Sequence, residues 1–428
     1  IIILLLQMSQ TVLVFGAGCA GLSAAHYLNE RGYKVIVIET LDVPGGMAGS
    51  MRYEDGMPSE YSWRGFASGF YHNTFDVMKK IPIETKDGIS NVYDSKLSRP
   101  IKFHLLDDEG SKFAREQVAD EYYHLPYSWK LTPQDKIKIG WIFAQGWMAS
   151  DKRSEEQYDE INMSQHLSKH LSTTGAKTFS SIFGPFIGSG YDRVSYHCVS
   201  GFFRRNTFTT YPAPHWHYDK EKDEYWQGKG RTGWHLMTTN TSEGWFDPWT
   251  KYLQSKGVEF RFSQELYKLN YNEGKIFSAE IAIKNGNNYT ISADYYILAS
   301  NPFPTQEILL RTPALLEDKE LAKFKQLTNI EEHRQISFRL AFSEKIKLPY
   351  RFTGFIMPSS EFNLCFFSMD HVWDKDVPLG EGIKSIWSFT ATVETAIGEL
   401  YNIPMKNHTR EQFTEEVLHQ IYKCKTLD

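Results

Sequence analysis

A glycine-rich turn between two apolar runs near the amino end constrains the fold more than any other feature of the chain. The run TVLVF (Thr11–Phe15) is short, apolar and β-branched, as in a strand that is buried on both faces of a parallel sheet. Gly16, Gly18 and Gly21 follow it as G-x-G-x-x-G, which permits a tight turn, close approach of the backbone to a pyrophosphate, and close packing of the next helix on the strand. The pattern predicts a doubly wound α/β unit that binds a dinucleotide.

The elements after the turn follow in the order that such a unit requires. Residues 22–31 have the spacing of a helix whose positive amino end faces the phosphates, and Gly32 ends this helix. KVIVIE is the second strand, and Glu39 at its carboxyl end lies where an acid accepts hydrogen bonds from ribose hydroxyls. A lone glycine fingerprint is weak evidence, but this order favours a bound dinucleotide over a glycine-rich turn without a ligand.

The segment PGGMAGS, shortly after Glu39, indicates which dinucleotide is bound. Its adjacent glycines, Gly45 and Gly46, resemble the GG motif of the superfamily of flavin-containing amine oxidases and carotenoid desaturases, and this resemblance implies FAD. Many members carry Arg or Lys after the glycine pair, whereas this chain has Met47, so a cationic contact to the cofactor would have to come from elsewhere. The resemblance implies the following cofactor-binding residues: Gly16, Ala17, Gly18, Cys19, Ala20, Gly21, Glu39, Gly45, Gly46, Met47, Arg64 and Leu266.

Two further segments carry the resemblance. Residues 57–81 are similar to the part of phytoene and zeta-carotene desaturases and hydroxysqualene dehydroxylases that contains a Glu-His-Gly-x-His run, but this chain reads EYSWR there and lacks the histidines. Trp63 and Arg64 stand where the family's chain passes the flavin, which leaves a cofactor-proximal role and surface packing both open. Residues 242–262 match the Asp-Pro pair that opens a helix before a strand, and in the following hairpin the backbone at the position of Leu266 contacts the adenine in the family.

The predicted fold class is α/β, with a Rossmann-type FAD-binding domain and a discontinuous second α+β substrate domain. The resemblance places the FAD-binding domain at 8–83 and 242–304, and the substrate or cap domain at 84–241 and 305–428. The inserted part reads as helices at 133–150 and 155–171 followed by a Gly- and Phe-rich stretch, and several strand-like runs begin at residue 336. A last helix is predicted at 409–423, with Thr409 as its N-cap and Phe413, Val417 and Ile421 on one face.

The composition excludes several classes of partner. With 47 Lys and Arg against 52 Asp and Glu, the net charge of -5 gives no reason to expect nucleic acid. The four cysteines include no C-x-x-C pair, so neither a zinc site nor a disulfide framework is predicted, and the cytoplasm is the expected location. His215 and His217 share one face of an extended segment but lack a third ligand, so no metal is predicted. Cys19 is interpreted as a small packing residue and not as a redox thiol.

The ends of the sequence and one aromatic-rich stretch give further expectations. IIILLLQ at the amino end is too short for a membrane span and lacks the marks of a signal peptide, so we expect the true start at Met8. The aromatic-rich stretch 211–235 leaves open a tunnel for a long apolar ligand, peripheral contact with a membrane, or packing on its own domain. The AGD-type stretch that closes members of the superfamily is missing, so we expect a truncated product or an unusual member.

These observations together predict an FAD-dependent oxidoreductase similar to the carotenoid desaturases and hydroxysqualene dehydroxylases. Its substrate would be an apolar, isoprenoid molecule that loses hydride to the flavin, and no side chain can be named as the catalytic acid or base. One alternative is a flavin amine oxidase that acts on a polar amine. A second alternative is a truncated or non-catalytic protein that binds a dinucleotide and serves as a partner of another chain.

Overall fold

The structure is a computed structural model that describes most of the chain. It describes residues 10–60, 62–67, 71–98, 101, 103–105, 131–210, 218–219, 224–227, 230–231, 234–284, 286–327, 335–347 and 354–424. The strands are β1 Thr11–Phe15, β2 Lys34–Ile38, β3 Ser50–Arg52, β4 Pro58–Glu60, β5 Phe66–Ala67, β6 Pro82–Thr85, β7 Gly88–Asn91, β8 Phe103–Leu105, β9 Tyr218–Asp219, β10 Glu224–Gln227, β11 Gly230–Arg231, β12 Trp234–His235, β13 Glu259–Arg261, β14 Gln264–Asn272, β15 Lys275–Ile283, β16 Tyr289–Ile291, β17 Tyr295–Leu298, β18 Ile336–Phe342, β19 Gly354–Ile356, β20 Cys365–Ser368 and β21 Ser385–Ala391.

The helices lie between these strands and at the carboxyl end of the described chain. They are α1 Cys19–Asn29, α2 His72–Lys80, α3 Val92–Lys96, α4 Pro133–Trp147, α5 Asp151–Arg153, α6 Met163–His170, α7 Thr173–Ile187, α8 Tyr196–Thr210, α9 Asp247–Ser255, α10 Pro302–Leu310 and α11 Arg410–Tyr422. In the part of the chain that the structure describes, no helix is long and apolar enough to cross a membrane.

A four-stranded sheet in the order β13-β2-β1-β17 forms the centre of the dinucleotide-type unit, and its strands are parallel. Side chains of β1 alternate between two cores: Val12 and Val14 pack with α1 and α9, and Leu13 and Phe15 pack with the hairpin β14–β15. Because both faces are covered, these strands are apolar throughout. The predicted strand TVLVF and the predicted Rossmann-type fold class are confirmed.

A five-stranded sheet in the order β18-β21-β20-β19-β8 forms the second unit. Its pairs are antiparallel except for β19 with β8. Helix α11 covers one face through Phe413, Val417 and Ile421, as its spacing predicted, and Thr409 caps that helix. The other face packs on side chains of α4, α6, α7 and α8. We call this five-stranded sheet the cap sheet.

The helices of the cap differ from the sequence prediction at two places. The predicted helix 155–171 is a π-helical turn at Ser154–Tyr158 followed by α6, which Asn162 caps by accepting from Gln165 N. Helix α7 begins at Thr173, where Ser172 caps it, and its second half lies in the Gly- and Phe-rich stretch that starts at Ser180. Local capping bonds therefore decide the helix boundaries here.

The predicted domain boundaries remain a prediction. The strands of the central sheet fall inside 8–83 and 242–304, but its two cores also include side chains from outside those ranges. These are Val92, Tyr93, Leu97, Met237, Ile308, Leu309, Leu315 and Leu316.

Candidate functional site

Two of the three fingerprint glycines are required by the packing of the protein itself. Gly16 has a φ of 111°, and a Cβ there would lie 2.8 Å from the Ala299 carbonyl oxygen. A Cβ at Gly21 would lie 1.8 Å from the Gly16 oxygen, where α1 crosses the turn. These glycines make the turn and the helix contact, as the motif predicts.

Gly18 differs, because neither its backbone angles nor its neighbours among the described residues require a glycine there. Its φ of −78° and ψ of −175° suit any residue, and a Cβ would be 3.9 Å from its nearest neighbours, Gly45 O and Gly46 Cα. Gly18 caps α1 without a side-chain bond, and the first bond of the helix runs from Leu22 N to Gly18 O. Among the described residues, no backbone carbonyl accepts from the N–H groups of residues 19–21. An anion that approaches Gly18 would meet these donors and the positive helix end.

The second glycine pair lies directly against the first loop. Gly45 N donates to Ala17 O at 2.9 Å, and Gly18 and Gly45 form a parallel bridge. Gly45 and Gly46 have φ values of 114° and 53°, and a Cβ on Gly45 would be 2.7 Å from Gly49 Cα. The two loops therefore form one continuous backbone surface at the carboxyl end of β1.

Glu39 holds its carboxylate at the glycine loop. The residue is buried, and its Oε2 accepts from Ala17 N at 2.6 Å while Oε1 accepts from Leu41 N at 2.9 Å. Each carboxylate oxygen has a further lone pair, so both can still accept from a hydroxyl. Gln264 N donates to Glu39 O at 3.0 Å, which starts β14 beside this acid. Leu266 lies in that strand, buried and paired with Ile281 at a register shift.

Arg64 lies beside the second glycine loop. It donates to the Met47 carbonyl oxygen, and Asn301 Nδ2 donates to Met47 Sδ at 3.1 Å. Burial lowers the pKa of Arg64, and the Glu60 carboxylate opposes that effect. Burial also raises the pKa of the Cys19 thiol, which Arg64 opposes in part, so Cys19 stays protonated at neutral pH. The packing interpretation of Cys19 agrees with this state.

The segment from Glu60 to Arg64 joins the glycine loops to the cap sheet. Ser62 Oγ is 3.2 Å from Thr390 Oγ1 on β21, and the Trp63 ring lies 4.5 Å from the ring of Phe367 on β20. Glu60 Oε2 is 3.6 Å from Arg339 Nη2 on β18. We call this contact between segment 60–64 and the cap sheet the junction.

Two partners of Glu60 were missed in the sequence. Thr241 donates to Glu60 Oε1 through both N and Oγ1 at 2.7 Å, just before a π-helical turn at Ser242–Phe246 that leads into α9. No local pattern marks that contact, because the two residues are 181 positions apart. Arg339 did leave a signal: it is the one charged residue in the strand ISFRLAF, whose alternate positions are apolar.

No metal centre is found among the residues that the structure describes, where no group of three or more His, Cys, Asp or Glu side chains could hold an ion. His215 and His217 lie outside the described residues.

Comparison with known proteins identifies the family. Residues 19–399 match the family model of the flavin-containing amine oxidoreductases. The chain belongs to the flavin-containing amine oxidoreductase family. Membership supports an oxidoreductase function with a flavin, and it confirms the resemblance seen in the sequence. The 15-cis-phytoene desaturase of Arabidopsis thaliana is 23% identical over a 351-residue alignment that covers 79% of this chain and 55% of the desaturase. The chain thus spans about half the length of that curated relative.

Solved structures show the same fold at low identity. An oxidoreductase from Methanosarcina mazei has a TM-score of 0.63 and 16% identity, over 97% of this chain and 84% of its own. Cyclohexylamine oxidase from Brevibacterium oxydans has a TM-score of 0.60 and 12% identity, over 97% of this chain and 81% of its own. Putrescine oxidase bound to putrescine has a TM-score of 0.60 and 12% identity, over 97% of this chain and 82% of its own.

Proposed function

We propose that the protein is an FAD-dependent oxidoreductase that removes hydride from an apolar, isoprenoid-type substrate. The observation that carries the FAD part is Gly18, a glycine that neither its backbone angles nor its neighbours require. A ligand that needs close backbone approach explains it, and the pyrophosphate of a dinucleotide is such a ligand. The residues around it therefore fit FAD.

Each part of the dinucleotide has a matching group on the chain. Gly18 and the amino end of α1 would receive the pyrophosphate, and Glu39 would accept from ribose hydroxyls. Arg64 would supply the cation that Met47 does not, since it already lies on the Met47 carbonyl. The backbone near Leu266 is assigned to the adenine by the resemblance alone.

FAD, when bound, supplies the acceptor for a hydride. The chain would contribute apolar side chains at the junction, where the resemblance places the flavin. Trp63 packs edge-on against Phe367, and Cys365 on the same strand is fully buried, which raises the pKa of its thiol to about 12. These side chains exclude water and carry no charge at neutral pH, as transfer of hydride from a C–H bond requires.

An apolar substrate is supported by the desaturase relative. The cavity among the cap helices, lined by Ile142, Phe143, Met163 and Phe179, has a volume of only about 10 Å³ and is too small for a substrate. The 15-cis-phytoene desaturase is similar over most of this chain, and on that similarity we propose a related, isoprenoid substrate for this protein.

A flavin amine oxidase is the second candidate, favoured by the fold of cyclohexylamine oxidase and putrescine oxidase. The junction offers such a substrate little, because the Glu60 carboxylate is already ion-paired with Arg339 at 3.6 Å and accepts two bonds from Thr241, so it is not free to pair with a protonated amine.

Anaerobic reduction of the bound flavin separates the candidates. The holoprotein is mixed with squalene, with a carotene precursor, with cyclohexylamine and with putrescine, and the loss of the flavin absorption is followed. We expect bleaching by an isoprenoid and none by the amines. Bleaching by an amine alone would replace the proposal with the amine oxidase, and bleaching by none of the four would contradict the isoprenoid assignment and favour the non-catalytic alternative.

A further inference from the structure

A groove lies between helices α1 and α2, and none of its lining residues belongs to the glycine loops. Its volume is about 220 Å³. The two helices form its walls, and the buried rings of Trp245 and Trp249 form its floor. An apolar cavity of about 150 Å³ holds a benzene molecule, so this groove has room for one substituted ring. We call it the α1–α2 groove.

The charged side chains that line the α1–α2 groove neutralise each other. They are Glu30 on α1 and Lys80 on α2. Lys80 Nζ donates to both carboxylate oxygens of Glu30, at 2.8 and 2.9 Å, and this pair joins the two helices. Because the cation already has its anion, the groove suits a neutral ligand better than a charged one.

The floor of the groove suits a flat ligand. The rings of Trp245 and Trp249 are stacked, with centroids 5.7 Å apart and an angle of 9° between their planes. A further aromatic ring that packs on such a pair gains energy beyond the burial of its area. We therefore expect a planar ring to bind here more tightly than a saturated ring of similar size.

His26 places one N–H group at the groove. Trp249 Nε1 donates to His26 Nδ1 at 3.0 Å, so the hydrogen of the neutral imidazole is on Nε2. Burial lowers the pKa of His26, which Glu30 opposes in part, so the ring is neutral at neutral pH. Nε2 lies 3.5 Å from Glu30 Oε1, which is long for a hydrogen bond, and that oxygen already accepts from Lys80.

Trp245 adds a second N–H group. The residue is only 5% exposed, and its Nε1 is buried and donates to no acceptor in the part of the chain that the structure describes. An indole nitrogen can only donate, and buried donors without an acceptor are rare in native proteins. His26 and Trp245 both line the groove, so an acceptor bound there would satisfy both donors.

We propose that the α1–α2 groove binds a small, neutral, planar ring that carries a hydrogen-bond acceptor, such as an amide or ring carbonyl oxygen. The ring would pack on the two tryptophans, and its oxygen would accept from Trp245 Nε1 and His26 Nε2. Ser23 and Thr74, which also line the groove, can bond to its other polar atoms. The site is independent of the proposed function, because no residue assigned to FAD lines it.

Benzamide is the probe, and each comparison compound changes one of its features. Toluene lacks the acceptor, cyclohexanecarboxamide lacks the planar ring, and benzoate is charged. Each is titrated into the full chain, with and without added FAD, and the ¹H–¹⁵N signals of the indole groups are followed. We expect benzamide to bind about fivefold more tightly than toluene, as one net hydrogen bond gives, and about threefold more tightly than cyclohexanecarboxamide. Benzoate should bind no more tightly than benzamide.

Three variants assign the binding to the groove. Trp245→Phe keeps a ring but removes the N–H group, so we expect it to lose the preference for benzamide over toluene. The missing indole signal of this variant also identifies Trp245 in the wild type, where benzamide should shift it to lower field. Val77→Phe, on the α2 wall, fills the groove and should abolish saturable binding. Trp141→Phe is the matched control, because Trp141 is exposed on α4, and it should leave every affinity unchanged.

Several outcomes overturn the proposal. No saturable binding of benzamide, or equal affinities for benzamide and toluene, would contradict it, and so would a preference that survives Trp245→Phe. Tighter binding of benzoate would contradict the neutral class of ligand. If Trp245→Phe does not fold, Val77→Phe decides, since Val77 is only half-buried, and binding that survives this variant refutes the site. A full chain that takes up no FAD but still binds benzamide would refute the proposed function alone.

Discussion

Replacing Gly18 with serine separates cofactor binding from folding. Gly18 is the N-cap of α1 and has extended backbone angles, which are those of a serine N-cap. A Cβ would be 3.9 Å from the nearest atoms of the protein, so the side chain adds no clash. The serine hydroxyl can accept from the free N–H groups of the first turn, and we expect the free energy of unfolding without cofactor to rise by a few tenths of a kcal/mol.

The same substitution places atoms where the pyrophosphate would approach. The hydroxyl would occupy the first-turn donors that an anion needs, and the Cβ would hold the ligand away from the backbone. We expect the Kd for FAD to increase at least about tenfold, which is about 1.4 kcal/mol. We therefore expect Gly18→Ser to be more stable than wild type and to bind FAD more weakly. Damage to the fold would instead lower both the free energy of unfolding and the affinity for FAD.

Fluorescence titration with FAD and thermal unfolding of the cofactor-free protein measure the two effects. Gly140→Ser is the matched control, since Gly140 lies exposed on α4 with no atom within 4 Å of a built Cβ. It should leave the Kd for FAD unchanged. Wild-type FAD affinity in Gly18→Ser would refute the assignment of the pyrophosphate to this loop.

Two predictions concern the cap helices. Burial alone would raise the pKa of Asp135, but bonds from Ser172 and Thr132 outweigh it and lower the pKa from 3.8 to about 2. The carboxylate therefore contributes stability above pH 4 that is lost as the pH falls toward 2. Asp135→Asn should lower the free energy of unfolding by about 2 kcal/mol at pH 7, and the difference in Tm between wild type and variant should shrink below pH 4. A Tm difference that stays constant with pH would contradict this. Gly175→Ala should lower the free energy of unfolding by about 1–3 kcal/mol, because its Cβ would lie 2.6 Å from the Asp135 carboxyl carbon. Gly140→Ala, where the Cβ meets no such neighbour, should raise it by about 1 kcal/mol. Equal Tm values for the two variants would refute the clash.

The sequence predicted the parts of the fold that local patterns control. The run TVLVF is apolar at every position because β1 is covered on both faces, and the spacing of Phe413, Val417 and Ile421 follows one face of α11. The helix break before α6 was missed, because it depends on a π-helical turn and on a cap by Asn162 that compete with helical spacing over only a few residues.

In the candidate site, too, some contacts follow from local sequence patterns and others depend on packing between distant segments. The glycine loops and Glu39 follow one another within a short stretch of chain, so their grouping could be predicted from spacing. The contact between Glu60 and Arg339 joins residues 279 positions apart, and it depends on how the cap sheet packs on segment 60–64. A sequence pattern could mark Arg339 as unusual, but only the packed structure shows its contact with Glu60.

The central claim is that this chain holds FAD at its two glycine loops, and the absorption spectrum of the purified full chain tests it most directly. The cofactor is released by heat, identified by mass spectrometry and quantified against protein. We expect a flavin spectrum, FAD as the released molecule, and about one FAD per chain, as one fingerprint in the sequence implies. A colourless protein that takes up no FAD on reconstitution, although it is folded and melts cooperatively, would contradict the account.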